Sequence, residues 1–233
     1  MTSNIHVSNL TYTCLNRIDR TFQKVDATPT VGATKRNVGT ARGAALRNFE
    51  ANGGFEKLQF DNVLEWCEDA RTRILDAATL HDCRTREFAA TLCLAIIAPD
   101  TSYFLQIGDG AIILGNGSLY GVVFWPQSGE YANSTNFLTS DEYAKQLEFF
   151  ATPTKCSNVA LMTDGIERIA LRFDIQTPHT PFFDPLFRAL GSATDVDSLN
   201  EGLRGFLSSD SVQLRSDDDK TLVLATRTED GTA

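Results

Sequence analysis

Three acidic turns stand at the ends of apolar segments and could together bind a metal ion. They are Gly108-Asp109-Gly110, Thr163-Asp164-Gly165 and Asp217-Asp218-Asp219. The apolar run Val159–Met162 is typical of a buried strand, so the Asp164 carboxylate should lie where that strand leaves the core. A lone Asp-Gly pair is more often a plain turn, and a run of acids alone is more often a solvated loop. Carboxylates brought together repel one another unless a cation lies between them, and oxygen ligands favour Mg²⁺ or Mn²⁺.

The cysteine and histidine content argues against a softer metal. The chain has three histidines and five cysteines, and the cysteines are scattered without a Cys-x-x-Cys pair. A zinc or copper site therefore has little support, and so does a disulfide framework. Unpaired thiols of this kind predict a cytoplasmic protein.

Composition and charge exclude several classes of partner. The chain has 233 residues, of which 42% are hydrophobic and 22% charged, as in an ordinary soluble globular protein. Its net charge of −9 makes nucleic acid or an anionic membrane an unsuitable partner. There is no apolar run of transmembrane length, and the first residues lack the regions of a signal peptide.

The hydrophobic periodicity predicts a mixed α+β fold in one domain that spans residues 1–233. Apolar residues at spacings of three and four predict a helix from Phe60 to Leu80, and a shorter one is predicted between Gly39 and Gly53. Strands separated by tight turns then read as an antiparallel meander. Residues 1–38 are the part of the chain in which the hydrophobic pattern gives the weakest prediction of secondary structure. The remaining predicted strands are Phe88–Ala98, Tyr103–Ile107, Ala111–Leu114, Leu119–Trp125 and Thr221–Thr226, and the remaining helices begin at Thr139, Phe182 and Val196.

Five segments, in order and spacing, make the chain resemble the bacterial branch of the metal-dependent protein phosphatases, the PPM-type or type 2C family. Phe88–Leu92 resembles the strand before the central hairpin of the family, and Gln106–Gly110 resembles its Gly-Asp turn. Gly129–Leu138 is similar to the segment that follows the hairpin in the bacterial branch. Leu161–Arg168 matches the Asp-Gly motif, and Asp218–Leu222 resembles the C-terminal Asp-(Asn/Asp)-x-Thr motif.

The resemblance implies a fold, an activity and a set of ligands. The fold would be a four-layer α/β/β/α sandwich of two antiparallel sheets flanked by helices. The activity would be hydrolysis of phosphoserine or phosphothreonine in a phosphorylated protein by a metal-activated water, as part of bacterial phospho-signalling. Asp164 and Asp218 would be metal ligands and the catalytic residues, and Asp109 would have a lesser role. The family binds two Mg²⁺ or Mn²⁺ ions bridged by carboxylates.

The N-terminal segment departs from the pattern of the family. Its first motif is a strand ending in Asp-Gly, and that Asp bridges the two metals. Gly32–Gly39 resembles the tail of this motif, but counting back from Gly39 puts the Asp position on Thr28. The preceding segment, Thr21–Val25, is hardly apolar, and the nearest acid, Asp26, comes two residues early. The His and Arg that the family has near this motif have no counterpart.

Three interpretations of this departure stay open. Asp26 supplies the ligand through a shifted turn, or the metal site is degenerate, or the N-terminal sequence is altered relative to an intact relative. The degenerate interpretation predicts one metal or none. The sequence therefore carries two functional hypotheses: a Mg²⁺- or Mn²⁺-dependent serine/threonine protein phosphatase, and a pseudophosphatase that binds a phosphoprotein or partner without hydrolysis.

Overall fold

The structure is a computed structural model that describes part of the chain. Residues 58–97, 101–128, 135–193 and 198–227 are described with their side chains, and residues 6–7, 10–11, 22–27 and 196–197 by their backbone alone. Twelve strands lie in these ranges. In chain order they are His6–Val7 (β1), Leu10–Thr11 (β2), Phe22–Ala27 (β3), Thr91–Ile97 (β4), Ser102–Ile107 (β5), Ala111–Asn116 (β6), Leu119–Phe124 (β7), Glu148–Thr152 (β8), Asn158–Met162 (β9), Leu171–Arg172 (β10), Thr177–Pro178 (β11) and Leu222–Arg227 (β12).

The strands form two five-stranded sheets and one small hairpin. The first sheet has the order β1-β2-β4-β5-β8 and the second has the order β3-β12-β9-β6-β7, while β10 pairs with β11. Every pair is antiparallel except β2 with β4. Six helices accompany them: Phe60–Leu80 (α1), Tyr143–Gln146 (α2), Glu167–Ala170 (α3), Thr180–Gly191 (α4), Val196–Leu207 (α5) and Asp210–Gln213 (α6).

Three separate apolar clusters show how the layers stack. Leu92, Leu94 and Ile96 of β4 pack with the buried face of α1. The alternate residues Cys93 and Ala95 pack against the second sheet, because successive side chains of a strand point to opposite faces. The outer face of the second sheet is covered by α4 and α5, whose buried phenylalanine and leucine side chains there are Phe182, Phe183, Phe187, Leu190, Leu203 and Leu207. The predicted α+β class, with two largely antiparallel sheets flanked by helices, is confirmed.

The register of the second sheet brings the three acidic turns to one edge. Ala111 of β6 and Leu222 of β12 both pair with Met162 of β9, so these three residues are level across the sheet. Because β9 runs antiparallel to both neighbours, the chain after Met162 and the chain before Ala111 and Leu222 leave the sheet at the same edge. The turns that contain Asp109, Asp164 and Asp218 therefore all lie at that edge of the second sheet.

One predicted helix is wrong and one predicted strand is displaced. The segment after Thr139 is turns followed by the four-residue helix α2, which has no side-chain cap, and strand β8 follows directly. The helix predicted to begin at Thr139 is therefore absent. The strand predicted from Phe88 begins at Thr91, since Thr85–Phe88 form a 3₁₀ turn. The helix predicted between Gly39 and Gly53 lies outside the described residues. None of the helices in the described part of the chain has the length and apolar content needed to span a bilayer.

Candidate metal and phosphate site

The Asp164 turn packs directly on the loop that carries Asp218. Asp164–Ile166 form a 3₁₀ turn after β9, and α3 continues from it. A Cβ added to Gly165 would lie 2.3 Å from the carbonyl oxygen of Asp219, so the two backbones touch. Glycine at this position is thus what lets the Asp164 turn approach the loop before β12.

Thr163 ties the same two segments together through its hydroxyl group. The hydroxyl donates to the carbonyl oxygen of Asp219 at 3.3 Å and accepts from the backbone N–H of Thr221 at 2.9 Å. Lys220, which is buried, donates from Nζ to the carbonyl oxygen of Asp218 at 2.7 Å. The backbone around Asp218 is therefore fixed relative to Asp164 by side chains on both sides.

Thr163→Val is expected to lower the free energy of unfolding by about 1–3 kcal/mol, because the buried N–H of Thr221 and the carbonyl of Asp219 both lose a partner. Urea denaturation measures the change. Thr163→Ser keeps the hydroxyl and is the matched control, with an expected loss of less than about 1 kcal/mol. Equal losses of unfolding free energy in the two variants would show that the Thr163 hydroxyl does not stabilise the loop before β12.

The Asp109 turn is held by Gln127 and lies against the end of β9. The backbone N–H of Gly108 donates to Oε1 of Gln127 at 2.8 Å, and the Gln127 N–H donates to the Gly108 carbonyl at 3.1 Å. Gly108 has a φ of +109°, which favours glycine. A Cβ on Gly110 would lie 2.8 Å from the Met162 carbonyl oxygen. The hydroxyl of Thr135 donates to the carboxylate of Asp109, which fixes that side chain as well.

The carboxylates at this edge affect one another electrostatically. Burial first, and then the charges of Asp109 and Asp218, raise the pKa of Asp164 to about 6 against the backbone N–H groups that lower it. Glu167 behaves in the same way: burial and then the charge of Asp164 raise its pKa to about 7, while Arg168 opposes the shift. Four negative groups thus share one partly desolvated region.

Glu167 is the member of this group that was not predicted as a site residue. It lies three residues after Asp164 where the 3₁₀ turn passes into α3, and residues three apart on a helix lie on one face. The signal was present in the sequence as an acid immediately after Asp164-Gly165-Ile166, although an acid in the first turn of a helix is common for other reasons.

The register places Asp26 away from the level of the other carboxylates. Asp26 pairs with Val223, which in turn pairs with Leu161, three residues before Asp164. Three residues of strand correspond to about 10 Å along the strand direction. Ala27 is the last residue of β3 and is level with Leu222 and Met162. Thr28 itself lies outside the described residues, and the assignment of Asp26 as a ligand stays a prediction.

The donor set suits a hard divalent cation. It consists of the oxygens of Asp109, Asp164, Asp218 and Glu167, and oxygen ligands are those that Mg²⁺ and Mn²⁺ prefer. Within the ranges that the structure describes, no three His, Cys, Asp or Glu side chains are close enough together to bind one ion as they stand. Binding through three of these carboxylates would require them to draw closer, whereas Mg²⁺ commonly takes only one or two from a protein.

A family model and a curated relative match this chain in sequence. The model described as Protein phosphatase 2C matches residues 38–208. Serine/threonine-protein phosphatase 3 of Escherichia coli is 41% identical over 157 residues, which are 66% of this chain and 62% of the relative. The match therefore spans about three fifths of the length of that relative.

Solved structures share the fold at low sequence identity. PppA, described as a key regulatory component of T6SS in Pseudomonas aeruginosa, superposes with a TM-score of 0.58 at 15% identity, covering 91% of this chain and 89% of PppA. The catalytic domain of the serine threonine protein phosphatase PstP, solved in complex with 2 manganese ions, gives a TM-score of 0.56 at 11% identity, covering 89% of this chain and 99% of that domain.

Proposed function

Because this chain belongs to the protein phosphatase 2C family, we propose that it is a Mg²⁺- or Mn²⁺-dependent phosphatase that hydrolyses phosphoserine and phosphothreonine in proteins. The observation that carries the proposal is the convergence of Asp109, Asp164 and Asp218 at one edge of the second sheet, where the two other charges raise the pKa of Asp164. A fold that gathers like charges at its surface gains from a cation placed among them. The names of the curated relative and of PstP are consistent with this activity.

Asp164 and Asp218 are the residues that would hold the cation. A divalent cation bound there supplies a water of lowered pKa and neutralises charge on the phosphoryl oxygens. The Asp164 turn is fixed by its contact with the Asp219 carbonyl, and the Asp218 backbone is fixed by Lys220. Asp109, whose carboxylate accepts from Thr135, has the lesser role of orienting the loop around the phosphate.

We propose that the whole chain forms one domain in the cytoplasm. Strands from β1 near the N-terminus to β12 near the C-terminus belong to the same two sheets, which supports a single unit. Cys67, Cys93 and Cys156 are buried free thiols, and burial raises the pKa of the Cys67 thiol to about 12. Thiols protected in this way suit a reducing compartment.

The expected result is Mn²⁺-dependent hydrolysis of p-nitrophenyl phosphate and of a phosphothreonine peptide, which EDTA abolishes and added Mn²⁺ restores. The number of ions is measured by calorimetry on the EDTA-treated protein. We expect one Mn²⁺ per chain, because Asp164 and Asp218 can hold one ion while the position expected to bridge a second is Thr28.

Asp26→Asn is the variant that separates the degenerate site from the shifted turn, which are two of the three interpretations of the N-terminal segment. Binding of one Mn²⁺, unchanged in Asp26→Asn, agrees with the degenerate site. Two ions in the unmutated protein, one of them lost in Asp26→Asn, would favour the shifted turn instead. No hydrolysis of either substrate with Mn²⁺ or Mg²⁺ would contradict the phosphatase proposal and leave a binding role.

A further inference from the structure

A groove of about 950 Å³ lies beside the candidate metal site, between the β10–β11 hairpin and helices α3, α4 and α6, with the end of α5 at its margin. Its apolar lining is dominated by rings and prolines. The rings and prolines are those of Phe173, Phe182, Phe206, Pro181 and Pro185. Phe182 and Phe206 are in contact, with ring centroids 6.0 Å apart.

The groove is basic although the protein is acidic. Arg168, Arg172, Arg215 and His179 line it, whereas the chain as a whole has a net charge of −9. Asp174 is the acid in the lining and pairs with Arg172 at 2.9 Å. Among the described residues, no carboxylate lies within 4 Å of the Arg168 or Arg215 guanidinium groups, although the charge of Arg168 does act on the neighbouring Glu167. Two guanidinium groups therefore remain available to an anionic ligand, and guanidinium groups bind carboxylates in a bidentate manner.

Apolar side chains project into solvent around the groove. The exposed fractions are 48% for Phe173, 55% for Ile175, 37% for Phe206 and 88% for Leu214. Each of these residues lines the groove or is next in sequence to a residue that does. Exposed apolar side chains grouped around a groove with charged residues in its lining are typical of an interaction site.

The groove begins close to the carboxylates. Arg168 lies four residues after Asp164 along the continuous 3₁₀ turn and α3, which corresponds to roughly 6–8 Å along the helix axis. Two or three residues of an extended peptide span about 7–10 Å. A peptide with its phosphate at Asp164 would thus place a residue two or three positions away at the mouth of the groove.

We propose that this groove binds an acidic segment of the phosphoprotein substrate, with carboxylates on Arg168 and Arg215 and an aromatic side chain packed against Phe206. The proposal rests on the proposed phosphatase function, since it makes the groove the part of the substrate site that selects sequence. The charge of the groove excludes a basic segment in the same position, because like charges at a desolvated contact are strongly unfavourable.

The test compares two phosphothreonine peptides that differ only in a segment two to four residues from the phosphoresidue, Asp-Glu-Phe in one and Lys-Lys-Phe in the other. Both are made with the segment on either side of the phosphothreonine. The protein is the full chain, unmutated or carrying Arg215→Glu. Arg84→Glu is the matched control, because Arg84 is exposed, lies outside the groove and undergoes the same change of charge.

For the unmutated protein we expect kcat/KM for the acidic peptide to exceed that for the basic peptide by about tenfold or more on at least one side of the phosphothreonine. Arg215→Glu should remove most of this difference by raising KM for the acidic peptide. Arg84→Glu should leave the difference between the two peptides unchanged. Hydrolysis of p-nitrophenyl phosphate should be the same in all three proteins, since that substrate is too small to reach the groove. Equal kcat/KM values for the two peptides, or an equal loss in Arg215→Glu and Arg84→Glu, would overturn the proposal.

Binding measured without hydrolysis separates this proposal from the phosphatase proposal. Fluorescence anisotropy of labelled, unphosphorylated Asp-Glu-Phe peptide should report binding that Arg215→Glu and Phe206→Ala each weaken at least about threefold, and Arg84→Glu does not. If the protein binds the Asp-Glu-Phe peptide in this way but hydrolyses no phosphorylated substrate, the phosphatase proposal is contradicted and the proposal for the groove stands. Hydrolysis of p-nitrophenyl phosphate without selective peptide binding would overturn only the proposal that the groove binds an acidic segment of the substrate, and the phosphatase proposal would stand.

Discussion

Asp164→Asn is expected to lower Mn²⁺-dependent hydrolysis of p-nitrophenyl phosphate by about 100-fold or more, because an amide is a neutral and weaker ligand for a hard cation than a carboxylate. Asn has nearly the same shape, and the contact between Gly165 and the Asp219 carbonyl does not depend on the side chain at 164. The fold should therefore persist, and the loss should fall on kcat at saturating substrate and on the affinity for Mn²⁺ measured by calorimetry.

The same variant should be more stable than the unmutated protein when both are treated with EDTA. Burial and the charges of Asp109 and Asp218 hold the Asp164 pKa near 6, above the usual value of 3.8. Because the folded-state pKa lies above the unfolded one, the contribution of this carboxyl to stability is fully present below about pH 3.8 and is lost as the pH rises through about 6. At pH 7.5 the gain on removing this charge should be about 1 kcal/mol, since the carboxylate is partly exposed and solvent screens the repulsion.

Stability and activity should thus move in opposite directions in Asp164→Asn. The matched control is Asp76→Asn, which removes one exposed negative charge from α1 and should change neither the rate by more than about twofold nor the free energy of unfolding by more than about 0.5 kcal/mol. A variant of Asp164 that retains the full Mn²⁺-dependent rate would show that this residue is not a ligand. One that is destabilised by several kcal/mol in EDTA would show that the carboxylate has a structural role instead.

The positions of the Asp164 and Asp218 turns could be predicted from the sequence because both turns are next to regular strands. Asn158–Met162 and Leu222–Arg227 are buried over nearly their whole length, so their apolar runs and the polar residues that end them are visible in the sequence. Once the two strands pair, the register alone places the Asp164 and Asp218 turns at one edge. No further information about side chains is needed to bring these turns together.

Strand β8 and the basic groove could not be predicted from the sequence, because both depend on contacts between distant segments. The segment that begins at Thr139 is predicted to be a helix from its local sequence, but Glu148–Thr152 pairs with β5 and forms strand β8. Its partly exposed residues give no clear alternation, and tertiary pairing overrides such a weak propensity. The basic groove escaped prediction for the same reason, since Arg172 and Arg215 come from segments that are distant in sequence and line one groove only in the folded chain.

Gly165→Ala is expected to lower the free energy of unfolding by at least about 2 kcal/mol and the Mn²⁺-dependent rate by about 100-fold. The added Cβ would lie 2.3 Å from the Asp219 carbonyl oxygen and 3.0 Å from its carbon. Both are backbone atoms, which cannot move as the end of a flexible side chain can, and overpacking of this kind costs about 1–3 kcal/mol or more. The carbonyl that must move also accepts the Thr163 hydroxyl, so Asp218 would shift away from Asp164, and a displacement of about 1 Å is enough for a 100-fold loss of rate.

Gly202→Ala is the matched control for this substitution. Gly202 lies inside α5, and a Cβ added there meets no atom within 4 Å. Alanine is the better helix former, so this variant should gain about 0.5–1 kcal/mol and keep its activity. Urea denaturation and the p-nitrophenyl phosphate assay on both variants give the comparison. If Gly165→Ala keeps both its stability and its rate, the Asp164 turn does not touch the Asp219 backbone in solution, and the two candidate ligands are positioned in some other way.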